Sequence, residues 1–153
     1  MTSAELSPEQ VTTREWGRRF IWHGLLLFLL GLIGGMFVFA MANQRMGVSA
    51  HVGTVLNATF LIALGSAWRA FVLSPRAQRW AFWLLVSSSY GGSIGLFLAA
   101  ILGTHDSTPI HGAAQSASQW KESLVMVFLN VSGLAIVVGT AIALRGFGRR
   151  VRG

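Results

Sequence analysis

Four apolar runs decide what this chain can become. They extend from Phe20 to Ala42, Ala50 to Leu73, Trp80 to Gly103 and Leu124 to Leu144. Each is on the order of 20 residues, and at a rise of about 1.5 Å per residue a helix of that length crosses a hydrocarbon core of about 30 Å. The second and third runs are broken only by neutral polar residues. Of the 153 residues, 53% are apolar and 11% are charged. Soluble domains carry roughly a quarter charged residues, so this chain lacks the polar surface to face water on all sides. The expected fold is an all-α integral membrane protein, a four-transmembrane-helix bundle.

The charge agrees with that reading. The formal net charge is +7, which alone would suit nucleic acid. No basic run is interleaved with aromatics, however, and the arginines stand at the ends of apolar runs, where membrane proteins place them. The partner is therefore the lipid bilayer, not nucleic acid. Arg14, Arg18 and Arg19 precede the first run, Arg69, Arg76 and Arg79 surround Pro75, and Arg145, Arg149, Arg150 and Arg152 form the tail. The other two loops hold only Arg45 and Lys121. Positive-inside bias puts both termini and the Pro75 turn in the cytoplasm of a bacterial-type inner (plasma) membrane, with His51 and the loop from Thr104 to Gln119 on the opposite side. Three parts follow: a polar, flexible segment over 1–19, the transmembrane domain over 20–146, and a basic tail over 147–153. Ala40-Met41-Ala42 mimics a signal-peptidase site, but the run before it is long and its flank contains acids, so it reads as a retained helix.

Chemistry has few places to reside. There is no cysteine, hence no disulfide, no thiolate metal site and no covalent haem attachment motif. No Ser-His-Asp arrangement, phosphate loop or HExxH motif occurs. His51 stands at the mouth of the second run, and an imidazole near hydrocarbon must be hydrogen-bonded, titrated or metal-bound. Asn57 follows six positions later. On one helix the two lie about 9 Å apart along the axis and about 120° apart in azimuth. They cannot share one small atom, yet both could border a large flat ligand. The plain alternative is a water-bonded interfacial histidine and an asparagine that joins two helices.

Other candidates carry equally plain alternatives. Tyr90 ends the polar patch Ser87-Ser88-Ser89; serines bond backbone one turn back at little cost, but a phenol inside a helix bundle wants a partner and can serve a substrate. His23, beside Trp22, reads as an interfacial anchor, and Trp16, Trp22, Trp68, Trp80, Trp83 and Trp120 read as an aromatic belt. His105, Asp106 and His111 share one loop, where nothing in the sequence makes them converge on a metal. Gly31 with Gly35 and Gly91 with Gly95 have the spacing that lets helix backbones approach. Ser74-Pro75-Arg76 is expected to form a tight turn.

The stretch from Asn43 to Trp68, which holds Asn43-Gln44-Arg45-Met46-Gly47-Val48-Ser49-Ala50-His51 and Asn57, resembles hydroxylaminobenzene mutase. Leu73-Ser74-Pro75-Arg76, Phe82-Trp83-Leu84-Leu85 and Tyr90 extend the likeness, as does the four-helix layout to about Gly146; the first dozen or so residues lie outside it. Styrene oxide isomerase is a more distant relative that carries a histidine followed six positions later by asparagine. There the histidine ligates ferric haem b, subunits form trimers, and the asparagine faces substrate. The resemblance implies the same roles for His51 and Asn57, with haem b as cofactor and a homotrimer as the assembly. Its third helix differs here. Ser89 and Phe97 occupy the places of an aspartate and a tyrosine used by the isomerase, and Gly91, Gly92 and Ser93 stand where mutases have bulkier residues. Tyr90, adjacent to the aspartate position, is the implied substitute.

The implied activity is a redox-neutral mutase reaction that turns an arylhydroxylamine into an ortho-aminophenol, with haem iron as Lewis acid, His51 as its ligand, and Asn57 and Tyr90 at the substrate. Three alternatives differ in what they require. Isomerisation of an aryl epoxide to an aldehyde would use the same site with another substrate. A haem electron carrier would want two axial ligands, and His23 is expected near the face opposite His51. A structural membrane subunit would bind no cofactor.

Overall fold

The computed structural model describes residues 8–112 and 116–151. It is helical throughout: α1 spans Pro8–Met36, α2 Gln44–Ala67, α3 Pro75–Leu102, α4 Pro109–Gly112 and α5 Gln119–Val151. Two 3-10 turns, Val38–Ala40 and Trp68–Ala70, flank α2. Among the described residues four helices, α1, α2, α3 and α5, are long and apolar enough to cross a membrane. The chain is a multi-pass membrane protein with a four-helix bundle. The first seven residues of the expected flexible segment lie outside the described residues, as do the last two of the tail, while α1 already runs from Pro8.

Local chemistry sets the boundaries. The Asn43 side-chain oxygen accepts from the Met46 amide at 3.0 Å, so α2 begins at Gln44, ahead of the apolar run. Ser74 caps α3 through the Ala77 amide at 3.4 Å, with Pro75 in the first turn. The proline therefore opens a helix, where its missing amide costs nothing, instead of making a separate turn. Gly103 closes α3 at φ 65°, a left-handed position that glycine takes without steric cost. The first run extends past its helix, since α1 stops at Met36 and the 3-10 turn carries the chain to Asn43.

α1 packs on α2, α2 on α3 and α3 on α5. Between lipid and protein the hydrophobic effect offers little, so close van der Waals contact must hold these helices together. The α1/α2 seam is built for it. Gly17 stands against Gly65, Gly24 against Ala58 and Ile62, and Gly31 against Thr54. A Cβ on Gly17 would lie 2.8 Å from the Gly65 carbonyl oxygen, and one on Gly65 would lie 2.7 Å from that of Gly17. The three glycines of α1 recur every seven residues, the repeat that keeps one face of a helix on its neighbour. His51, Ala58 and Gly65 recur likewise on α2, which places His51 in the same seam.

An aromatic cluster locks the end of the bundle where Gly17 meets Gly65. Phe20 lies 4.7 Å from Trp68 and 4.9 Å from Phe82, ring centre to ring centre, and Trp16 lies 4.9 Å from Phe82. Trp68, 1% exposed, is thus core and not belt; Trp22, Trp80, Trp83 and Trp120 are the exposed ones. At the same end the Val72 amide donates to the Gly146 carbonyl at 3.1 Å, tying the α2–α3 connection to α5.

The opposite end is closed by Glu122, whose residue is 2% exposed. Its two oxygens accept the His105 and Asp106 amides at 3.0 and 3.1 Å. The Asn43 side chain adds a bond to the His111 carbonyl at 2.8 Å. Removal of the carboxylate would leave two amides without partners, at about 1–3 kcal/mol for such a group when buried. Glu122→Ala is therefore expected to lower the melting temperature in detergent by several degrees, read by differential scanning fluorimetry. An unchanged melting curve would show that the loop does not rely on this carboxylate.

Candidate functional site

His51 is half-buried on α2 with its ring laid over Gly35, where a Cβ would come 2.5 Å from Nδ1. Its Nδ1 makes a 2.8 Å bond with the Gly31 carbonyl oxygen. A carbonyl only accepts, so Nδ1 carries the proton and donates. In a neutral ring the lone pair is then on Nε2, which has no partner among the described residues. This is the arrangement that orients a histidine for a metal, with the second nitrogen fixed by a backbone carbonyl. Gly31 and Gly35, four apart, do more than let helices touch: they supply the acceptor and the floor for this ring. Thr54, one turn on and 1% exposed, sets its methyl against Gly31 and leaves its hydroxyl oxygen unpartnered.

Asn57 turns to another seam. Gly53 and Asn57, one turn apart, face α3: a Cβ on Gly53 would meet Leu96 at 2.9 Å, and a Cβ on Gly92 would lie 3.9 Å from the Asn57 Nδ2. The same Gly92 position lies 3.7 Å from Cβ of Ser132, on α5. The Asn57 amide makes no hydrogen bond among the described residues. By contrast Asn130, on the exposed side of α5, returns its amide to the Met126 carbonyl at 2.8 Å. An amide at membrane depth without a partner costs free energy, and no hydrogen bond from the half-buried Asn57 ties α2 to another helix among the described residues.

Tyr90 faces α1. Its hydroxyl donates to the His23 carbonyl at 3.3 Å and lies 3.4 Å from His23 Nδ1. His23, expected at the lipid interface, is instead turned inward, its ring 5.8 Å from Tyr90 and 5.7 Å from Phe82. From the carbonyl of His23 to that of Gly31 is eight residues, about 12 Å along α1. His51, Asn57 and Tyr90 are therefore spread along the bundle in three seams, α1/α2, α2/α3 and α1/α3, and do not meet at one point. The axial and azimuthal spread of His51 and Asn57 follows from their spacing alone.

The rest of the third helix is quiet. Ser87, Ser88, Ser89 and Ser93 return their hydroxyls to carbonyls one turn back, Ser89 to Leu85 at 2.8 Å and Ser93 to Ser89 at 2.8 Å. Phe97 packs its ring over Gly34 of α1. Neither Ser89 nor Phe97 offers the acid or hydroxyl that the isomerase pattern has there. His105 and Asp106 do converge, with Glu122 and not with His111: one ligand atom from each lies within 4.8 Å of the others. The Glu122 carboxylate is already committed to two backbone amides, which makes this cluster a loop clamp. Glu122 escaped the sequence reading because it lies sixteen residues from Asp106, on another helix. Ser132 escaped it for want of any motif around it.

Comparison with known proteins gives the family. A family model for styrene oxide isomerase matches residues 17–148. Hydroxylaminobenzene mutase HabB of Ectopseudomonas oleovorans is 35% identical over 136 residues, covering 88% of this chain and 83% of that protein. Hydroxylaminobenzene mutase HabA of the same organism is 36% identical over 107 residues, covering 69% and 79%. No solved structure matches the chain. The match reaches all four membrane helices and includes His51, Asn57 and Tyr90, so the chain belongs to the styrene oxide isomerase family and is an isomerase of the mutase type.

Proposed function

We propose that the protein converts an arylhydroxylamine to the ortho-aminophenol, in a homotrimer of the inner membrane with both termini in the cytoplasm. The observation that carries the chemistry is His51: Nδ1 bound to the Gly31 carbonyl, Nε2 free. A neutral imidazole so held fits a haem iron, and in this reading it is the single protein ligand of ferric haem b. When bound, the haem supplies a Lewis acid that weakens the N–O bond by stabilising negative charge on the departing oxygen. The similarity to two hydroxylaminobenzene mutases supports the substrate class. The arginines at the end shared by Gly17, the Pro75 connection and Gly146 support the orientation.

The reaction is an isomerisation. The N–O bond breaks, a C–O bond forms at the ortho carbon, that carbon gives up its proton, and nitrogen gains one. No electrons or second substrate enter. The chain's part is to place and protect. His51 is kept in one tautomer by Gly31. Asn57, with its amide unspent, orients the polar N–O group, since a positioned hydrogen bond fixes which ring carbon lies nearest the migrating oxygen. Apolar neighbours such as Leu96 and Phe97 keep water from competing for the ring. Tyr90, in the neighbouring α1/α3 seam, donates its hydroxyl hydrogen bond to the His23 carbonyl, and it reaches substrate only by releasing that bond.

Three variants test the assignments, with phenylhydroxylamine as substrate and 2-aminophenol measured by chromatography. His51→Ala is expected to lose haem, read as Soret absorbance per protein, and activity together; full haem in this variant would remove His51 as the ligand. Asn57→Ala is expected to keep haem and lose about 10²-fold or more in kcat, the scale of a lost orienting contact; an unchanged rate would remove it from the substrate. Tyr90→Phe, which keeps the packing and loses only the hydroxyl's contacts with the His23 carbonyl and Nδ1, is expected to cost under about tenfold. A loss as large as that of Asn57→Ala would instead make its hydroxyl a participant.

A further inference from the structure

The end of the bundle closed by Glu122 gathers side chains that take no part at His51. Of the five acids in the chain, the two beyond Glu15 are Asp106 and Glu122, and the fold brings both to His105. The imidazole faces a carboxylate with each nitrogen: Nε2 lies 3.1 Å from Asp106 Oδ1, and Nδ1 lies 3.4 Å from Glu122 Oε1. Ligand atoms held about 2.0–2.1 Å from a tetrahedral ion stand about 3.3 Å from one another, so both spacings are those of neighbouring ligands. One ligand atom from each of the three residues lies within 4.8 Å of the other two. Asp106, exposed at the surface, is free to turn and close the remaining distance.

The negative charge there lacks a counter-charge. Lys121, next to the buried Glu122, is turned to the Trp120 ring, 5.8 Å from its centre. Among the described residues no lysine or arginine pairs with either carboxylate. With a neutral imidazole the group carries two negative charges, and a buried charge without a partner is costly. The His105 and Asp106 amides take one lone pair from each Glu122 oxygen and leave another on each. Polar atoms without partners also collect in this loop. Of six such buried side-chain atoms among the described residues, four belong to Thr104, His105, Ser107 and Thr108, and Thr104 is wholly buried. An ion with water ligands answers both the charge and the hydroxyls. The loop is preformed as well: Gly112 of α4 sits on the His105 backbone, where a Cβ would come 2.5 Å from the His105 Cα.

We propose that His105, Asp106 and Glu122 form a binding site for a divalent transition-metal ion of the zinc class, which ties the loop between α3 and α5 to α5. One imidazole nitrogen and two carboxylate oxygens make a three-ligand set that leaves a position for water. Imidazole suits zinc, whereas magnesium and calcium take oxygen ligands. Glu122 is the fixed ligand, and the two amides that hold it are the outer shell that orients it. His111 stands outside the set. The site is separate from His51 and does not rest on the arylhydroxylamine reaction.

The test titrates zinc into the detergent-purified full chain, without a polyhistidine tag and cleared of loose metal with EDTA. Affinities are measured by calorimetry against a detergent blank for wild type, His105→Ala, Asp106→Asn and His111→Ala, with magnesium as the comparison ion. Alanine at 105 keeps the amide that bonds Glu122 and the Cβ that meets Gly112. Asp106 is exposed, so Asn there spares the fold; melting curves without metal check both variants. His105→Ala and Asp106→Asn are each expected to weaken zinc by about tenfold or more, since even an outer-shell change costs about that much. His111→Ala is expected to leave zinc affinity unchanged, and magnesium to bind far more weakly than zinc. At about a hundredfold over its Kd, zinc should raise the wild-type melting temperature by several degrees, a shift that His105→Ala loses. No zinc binding by wild type would overturn the site and leave the cluster as an ion pair within the clamp. Wild-type affinity in either His105→Ala or Asp106→Asn, or an equal loss in His111→Ala, would overturn the ligand set. Turnover of phenylhydroxylamine does not enter the readout, so failure here leaves the proposed reaction standing.

Discussion

Everything at the candidate site depends on how closely α1 and α2 approach. His51 can bond a backbone carbonyl of another helix only because Gly31 and Gly35 have no side chains, and because Gly17 and Gly24 continue the same bare stripe toward the other end. The carbonyl it uses belongs to a helix interior and would ordinarily serve the amide four residues on; its second lone pair remains for the imidazole. A methyl at Gly35 would stand 2.5 Å from Nδ1, displacing the ring and with it the tautomer. The packing that joins the helices and the geometry that aims Nε2 are one feature.

Membrane interiors make unpaired polar atoms informative. Most hydroxyls in this bundle are answered within their own helix: Thr59 by Val55, Ser66 by Ile62, and the serines of α3 by the turn before. Asn130 does the same with its amide. Against that background His51 Nε2, Thr54, Asn57 and Ser132 stand among the unanswered groups within the membrane-spanning parts of α2 and α5. They share no single point, and they belong to different seams, which suits a site made of an extended ligand and a substrate better than one compact catalytic cluster. Tyr90 belongs with the answered groups in this structure, through His23.

Much of the architecture could be read from residue order. The four spans and the angular divergence of His51 from Asn57 follow from length and helix periodicity, whereas Ser74-Pro75, expected as a tight turn, caps and opens α3. The expected belt was right for Trp22, Trp80, Trp83 and Trp120, but a tryptophan at a helix end carries no mark of whether it faces lipid or core, and Trp68 faces core. His23 was misplaced for the same reason. Contacts between distant helices were the hidden part: Glu122 with the loop at His105, Tyr90 with His23, and Ser132 with Gly91. None of them has a local signature, because each joins a residue to backbone or glycine far along the chain. The seven-residue glycine repeat of α1 was present in the sequence, yet its meaning needed the partner face on α2.

The most direct test of the account is an absorption spectrum of the detergent-purified protein, recorded before and during addition of phenylhydroxylamine. The account expects a ferric Soret band that shifts as substrate binds and returns as 2-aminophenol accumulates, with no net change in oxidation state. Full conversion to 2-aminophenol by protein without a Soret band would contradict it and would leave His51 oriented by Gly31 for some purpose other than holding iron.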